Sequence, residues 1–168
     1  IKLLKDITGD RLTVTQSLTI DGNGHTLTDN TAGGRALWIY DTDVTLTIND
    51  LTIDGAGVCE RGLQVNQLTS GWNTSNVTLN HCTIKKVTHY AINLAPGTTV
   101  NLEINDSYIS GWAAINAYGT GNTITVNNST LEGINSQGTG GSNNFSTVCL
   151  EGDTTGHSTL GSSDYEVT

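Results

Sequence analysis

Few residues in this chain could carry out chemistry. Glu60 and His89, with Arg35 and Arg61 nearby in the repeat described below, form a carboxylate–imidazole set that could transfer protons. The same four also read as a charge-balancing group, in which Glu60 offsets the like-charged Arg35 and Arg61 and His89 is a solvated loop residue. This second reading is the expectation. Asp41 and Asp43 could share a Ca²⁺ weakly, but two carboxylates are a poor site for an ion that takes about six to eight oxygens. They are expected to be solvated turn acids, and no cofactor is expected. The three cysteines, Cys59, Cys82 and Cys149, are odd in number, so at least one thiol is free or pairs outside the chain. They show no Cys/His spacing of the kind that builds a structural zinc site.

The elements that must position these groups are β-strands. The chain has 168 residues, enough for one domain with a continuous core. Thr, Asn and Gly dominate, and no stretch carries a helical apolar stripe of good helix formers. Period-two alternation recurs instead, as in Val44–Ile48, Val100–Ile104 and Ile124–Val126. Sixteen acids against seven bases give a net charge of −9, which argues against a nucleic-acid partner because phosphate binding needs clustered Lys and Arg. With 14% charged residues the chain is not a disordered acidic tail. No apolar run approaches the roughly 18 residues of a membrane span, so no membrane insertion is expected. The absence of Met suggests a piece of a longer or processed chain.

An internal repeat organises the strands. Four segments share one pattern: Ile48–Ile53, Leu79–Ile84, Ile104–Ile109 and Val126–Leu131. Their Asn residues, Asn49, Asn80, Asn105 and Asn127, are spaced by 31, 25 and 22. A second pattern lies between them, at Ala36–Ile39, Gly62–Val65, Ala91–Leu94, Ala114–Ala117 and Thr147–Leu150. Each cycle thus contains three short strands and three turns, without the two-residue hairpin turns of antiparallel pairs.

This periodicity resembles the pectate-lyase-like superfamily, including bacterial surface and adhesin-like β-solenoids, over residues 12 to 150. The resemblance implies an all-β fold, a right-handed single-stranded parallel β-helix of about five coils. The aligned Asn column is its most specific feature. In that family such a column forms an asparagine ladder at a sharp bend, where Asn tolerates the left-handed conformation. Stacked amides at the strand spacing of about 4.8 Å can bond to one another. Residues 1–168 are read as one domain, with 1–11 an N-terminal cap and 151–168 an irregular end. The first bend, from Val14 to Leu18, reads as a different turn that lacks the ladder Asn.

In enzymes of that superfamily, substrate lies along the outer face of the first strand. Here that face carries the column Trp38/Gln64/Asn93/Asn116/Cys149 and, next to it, Tyr40/Asn66/Ala95/Tyr118/Glu151. No acid occurs before Glu151, so neither a lyase nor a two-carboxylate hydrolase finds its central groups. Binding is better supported. Trp38, Trp72 and Trp112, with Tyr40 and Tyr118, could stack on pyranose rings while Gln64, Asn93 and Asn116 bond hydroxyls. The leading expectation is therefore a non-catalytic, carbohydrate-binding or adhesin-like module, extracellular or at the cell surface, whose partner is a polysaccharide or host glycan. The alternatives are a fragment of a polysaccharide lyase or glycoside hydrolase, and a passive stalk that self-associates end to end.

Overall fold

The computed structural model describes residues 1–9, 11–40, 43–66, 73–95, 98–118, 121–134, 147–151 and 166–167. The alternating Val/Ile/Leu and Thr/Asn segments form short strands, because β-branched and apolar residues pack well on a pleated, half-buried surface. After the short β1 (Ile7–Thr8), they come in threes. The first winding has β2 (Leu12–Val14), β3 (Leu18–Asp21) and β4 (Thr26–Thr28). The second has β5 (Arg35–Ile39), β6 (Thr45–Asn49) and β7 (Thr52–Asp54), and the third β8 (Arg61–Val65), β9 (Asn73–Asn80) and β10 (Thr83–Lys85). Then follow β11 (Tyr90–Leu94), β12 (Thr98–Asn105) and β13 (Tyr108–Gly111), and β14 (Ala113–Tyr118), β15 (Thr123–Asn127) and β16 (Thr130–Gly133). Two more strands, β17 (Val148–Glu151) and β18 (Glu166–Val167), extend the stack.

Each strand pairs in parallel with its counterpart one winding away. This gives three six-stranded sheets, β2-β5-β8-β11-β14-β17, β3-β6-β9-β12-β15-β18 and β1-β4-β7-β10-β13-β16. The chain is an all-β parallel β-solenoid, as its repeat predicts. The registers place like residues over one another. Leu37, Leu63, Ile92, Ile115 and Val148 form one file of the first sheet, and Ile48, Leu79, Ile104 and Val126 one file of the second. Ile53, Ile84, Ile109 and Leu131 form one file of the third. These files meet in one apolar core, where each fully buried Leu or Ile contributes about 1.5–3 kcal/mol.

The asparagine ladder is present. Asn80 Nδ2 donates to Asn49 Oδ1 at 2.8 Å, Asn105 Nδ2 to Asn80 Oδ1 at 2.9 Å, and Asn127 Nδ2 to Asn105 Oδ1 at 2.8 Å. The left-handed residue at this bend is not the ladder Asn, as expected from the sequence, but the one after it. Asp50, His81, Asp106 and Asn128 have φ of 51°, 52°, 48° and 45°. The ladder Asn itself stays in strand geometry, which keeps its amide over the one below, and the next residue turns the corner. Beyond the bend, hydroxyls take over. Cys82 N–H donates to Ser107 Oγ and Ser107 N–H to Ser129 Oγ, each at 2.9 Å.

The first winding also differs from expectation. Val14 pairs with Ile39 in the first sheet and Leu18 with Leu46 in the second, so the Val14–Leu18 turn is not the ladder bend. That bend begins at Asp21, which takes the register position of Asn49. It runs through Gly22, where a Cβ would lie 2.5 Å from the Asp50 carbonyl oxygen. Upstream of β2, Leu3 packs into the core, Lys2 bridges in parallel to Asp21, and β1 pairs with β4. Residues 1–8 thus add part of a further winding.

Asn80 uses both its donor and its acceptor within the ladder, whereas among the described residues Asn127 takes part only as a donor, to Asn105. Asn80→Ala is expected to lower stability by about 1–3 kcal/mol, two net side-chain bonds, and Asn127→Ala by about half as much. Urea midpoints of the two variants check this; equal effects would mean that the ladder carries no cooperative load.

Candidate ligand-binding face

The outward column of the first sheet is in the predicted register: Trp38 with Gln64, Gln64 with Asn93, Asn93 with Asn116, and Asn116 with Cys149. Its amides are turned inward on one another. Asn93 Nδ2 donates to Gln64 Oε1 at 2.9 Å and Asn116 Nδ2 to Asn93 Oδ1 at 2.8 Å, forming a second ladder on a different face. Gln64, Asn93 and Asn116 are only 1%, 3% and 0% exposed. At the lower end Arg61 Nη1 donates to Gln64 Oε1 at 2.7 Å, and Gln64 Nε2 donates to the Asn66 carbonyl at 2.7 Å. Asn66 is buried with φ of 57°, and its own amide donates to Thr98 Oγ1.

Near this face, five described rings form two contact groups. Trp38 is mostly buried, and its indole N–H donates to the Asn66 carbonyl at 3.3 Å. Tyr40 stands against it edge-on, with centroids 4.8 Å apart at 73°, and is 47% exposed. The second group lies further along the solenoid. His89 stacks on Tyr90 at 3.9 Å, and Trp112 meets both rings at 5.7 and 6.0 Å. Tyr90 and Trp112 cluster with Ala113 and Cys149 and are buried. Tyr118 is half-buried at the end of β14. Trp72 and Asp41 lie outside the described residues. Asp43 Oδ1 accepts the Thr74 backbone N–H at 2.6 Å and so ties one winding to the next.

The charged set at the strand edge is assembled largely as the sequence suggests. Glu60 Oε1 lies 3.0 Å from Arg61 Nη2 and 3.4 Å from His89 Nδ1. His89 is not a solvated loop residue, because its ring is covered by the Tyr90 stack and its side chain is about one-fifth exposed. Burial, then the Arg61 charge, hold its pKa below the usual value, with Glu60 opposing. Burial likewise lowers Arg61, helped by the like charge of Arg35, which stacks on it in register.

Beside this edge is a cleft of about 370 Å³ lined by Arg11, Thr13, Asp29, Thr31, Ala32, Gly33, Gly34 and Arg35. The turn that walls it is built on Asp29. This carboxylate is fully buried, accepts the Thr31 N–H at 2.8 Å through Oδ1 and faces the Cys59 thiol at 3.3 Å through Oδ2. Gly34 is obligatory there, since a Cβ would lie 2.5 Å from Asp29 Oδ2. Burial, reinforced by the Asp29 carboxylate, pushes the Cys59 thiol up to about 12. Above the cleft, Arg11 and Arg35 place their guanidinium carbons 4.4 and 5.3 Å from the Trp38 ring centroid. Sequence reasoning missed Arg11 and Asp29. The Asp-Asn-Thr-Ala-Gly-Gly run is an Asx-turn signature, but nothing local connects it to Cys59, a winding away.

Among the described residues, no three His, Cys, Asp or Glu side chains converge to hold a metal ion. No family model, curated protein or solved structure matches the chain.

Two buried groups give stability a pH dependence on both sides of neutrality. An unfolded Cys59 ionises near 9.0 and the folded one only near 12, so stability present below 9 is lost as pH rises between them. An unfolded His89 takes up its proton near 6.5, above the folded group, so stability is lost as pH falls below that value. Urea midpoints are expected to peak near neutrality and to fall less steeply above pH ~9 in Cys59→Ala. An unchanged alkaline slope in that variant would count against a protonated, buried thiol.

Proposed function

We propose that this chain is a non-catalytic, carbohydrate-binding or adhesin-like module built on a right-handed β-solenoid of the pectate-lyase-like kind, acting outside the cell or at its surface. The observation that carries this reading is the Tyr40–Trp38 pair. A half-exposed phenol ring stands on an indole fixed by its bond to the Asn66 carbonyl, beside a polar cleft. A rigid aromatic edge with nearby hydroxyl, carboxylate and guanidinium groups suits a pyranose, whose C–H face packs on rings while its hydroxyls seek donors and acceptors. Because the platform is pre-ordered, a ligand pays little conformational entropy to use it.

On this reading Gln64, Asn93 and Asn116 serve as the stiff base of the face, and Tyr40, held against the buried Trp38 ring, provides the contact. Tyr118, half-buried at the end of β14, lies further along the same face and would meet a longer glycan, whereas Trp112 is buried and supports the face from beneath. The column of the first sheet from Trp38 to Cys149 holds no carboxylate, which favours binding over bond cleavage. The acidic, Lys-poor composition suits an extracellular surface.

Affinity electrophoresis in gels containing neutral and acidic polysaccharides tests the proposal. Retardation by at least one polysaccharide is expected, with about tenfold weaker binding in Tyr40→Ala, a loss of about 1.4 kcal/mol. The fold should be unaffected, since Tyr40 is at the surface. A Tyr40→Ala variant that binds like the parent would sink this reading.

A further inference from the structure

Arg11 and Arg35 hold an unusual position in an acidic protein. The chain carries sixteen acids and seven bases, yet these two guanidiniums form no ion pair with any described carboxylate. Instead both lean on one Trp38 ring, which keeps two like charges together at the mouth of the same cleft. Arg61 lies one strand further on, in register with Arg35, and its charge is answered by Glu60. The Arg35 Nε–H is buried and has no acceptor. Among the described residues, the one carboxylate lining the cleft is Asp29, which directs its two oxygens to Thr31 N–H and the Cys59 thiol. A Trp face attracts each cation but offers no oxygen to its N–H donors. What this arrangement lacks is a planar or tetrahedral oxyanion, the group that a guanidinium fork matches best.

We propose that the cleft is an anion subsite, in which Arg11 and Arg35 bind a carboxylate or sulfate ester carried on a sugar while Tyr40 meets the adjoining ring. This deepens the carbohydrate-binding reading and rests on it. Trp38 fixes the spacing of the two guanidiniums, and Thr13, on the cleft wall, bonds a neighbouring hydroxyl. The Asp29 turn keeps the wall rigid, and its negative charge confines the anion to the Arg side of the cleft. Neutral glycans would contact the aromatic edge alone and bind more weakly.

Three polymers with one glucan backbone separate the two levels of the proposal: dextran, carboxymethyl dextran and dextran sulfate, compared by affinity electrophoresis at low ionic strength. Both charged polymers are expected to retard the protein at least tenfold more strongly than dextran, and added salt should remove the difference. A variant carrying Arg11→Gln and Arg35→Gln should bind all three alike. The parallel arm is a thermal melt in sodium sulfate against sodium chloride at matched ionic strength, where sulfate should stabilise the parent but not the double variant. Charged-polymer binding that persists in the double variant overturns the anion subsite, and if Tyr40→Ala still weakens it, glycan recognition survives without it. Sulfate stabilisation that depends on both arginines, with no binding of any dextran, overturns the saccharide assignment and the functional reading together. No binding and no sulfate effect overturns both levels.

Discussion

The structure depends on one constraint, that each winding lies in register on the one before it. Parallel neighbours at about 4.8 Å bring equivalent side chains within reach of a primary amide, which carries a donor and an acceptor on the same carbon. Two files exploit this. Asn49, Asn80, Asn105 and Asn127 run along the bend between the second and third sheets, and Gln64, Asn93 and Asn116 along the outside of the first. An interior amide bonds in both directions, so slipping one winding by a single residue would break the bonds above and below it. The same slip would turn that winding's Leu, Ile and Val residues out of the core. Polar and apolar patterns therefore enforce one register.

That constraint also limits where chemistry can occur. A face whose polar side chains bond to each other has few free groups for a ligand, and the amide column is buried despite pointing away from the core. Free donors and exposed rings reappear where the file stops. Trp38 occupies the next register position below Gln64, and an indole has a donor but no acceptor oxygen, so it cannot continue the ladder. Its N–H goes to the Asn66 carbonyl, the acceptor that also takes Gln64 Nε2. Asn66 can collect both because its left-handed backbone turns that carbonyl toward the sheet face.

The fold was legible because repetition states the same fact several times: four Asn with matching apolar flanks identify a stacked position without any knowledge of distance. Details that occur once were not. The left-handed residue after each ladder Asn is Asp, His, Asp or Asn, a set without a common sequence mark. The first winding turns its corner with Asp21 and Gly22 in place of Asn and a left-handed neighbour, so alignment by residue type misplaced it. On the outer face, alternation distinguishes outward from inward but not covered from open. Gln64, Asn93 and Asn116 therefore read as hydrogen-bonding groups without revealing that their partners are one another. His89 was misread for the same reason, since the Tyr90 stack that covers it is a tertiary fact. The Asp29–Cys59 contact links residues 30 apart, beyond any local signal.

The two ladders share a direction, and this explains what stands at their ends. In both, the amide N–H of each winding donates to the oxygen of the winding before it, so the dipoles align along the solenoid. Every file has a donor end toward the N-terminus and an acceptor end toward the C-terminus. At the donor end of the Asn file, the register position below Asn49 is filled by Asp21, a side chain that only accepts when ionised. A further Asn there would bring a donor that has no amide below it to receive it. The outer file ends differently. Gln64 Oε1 already accepts from Asn93, and Arg61 adds a charged donor to the same oxygen, so that end is saturated from the side. Its opposite end leaves Asn116 Oδ1 buried and unpaired, over a register position held by Cys149, which brings no amide N–H to it. A file of aligned amides thus sets the chemistry of its neighbours. Carboxylates suit the donor end, guanidiniums draw to the amide oxygens, and the cationic, aromatic corner at Trp38 forms where an N-terminal donor end can no longer be passed on as amide.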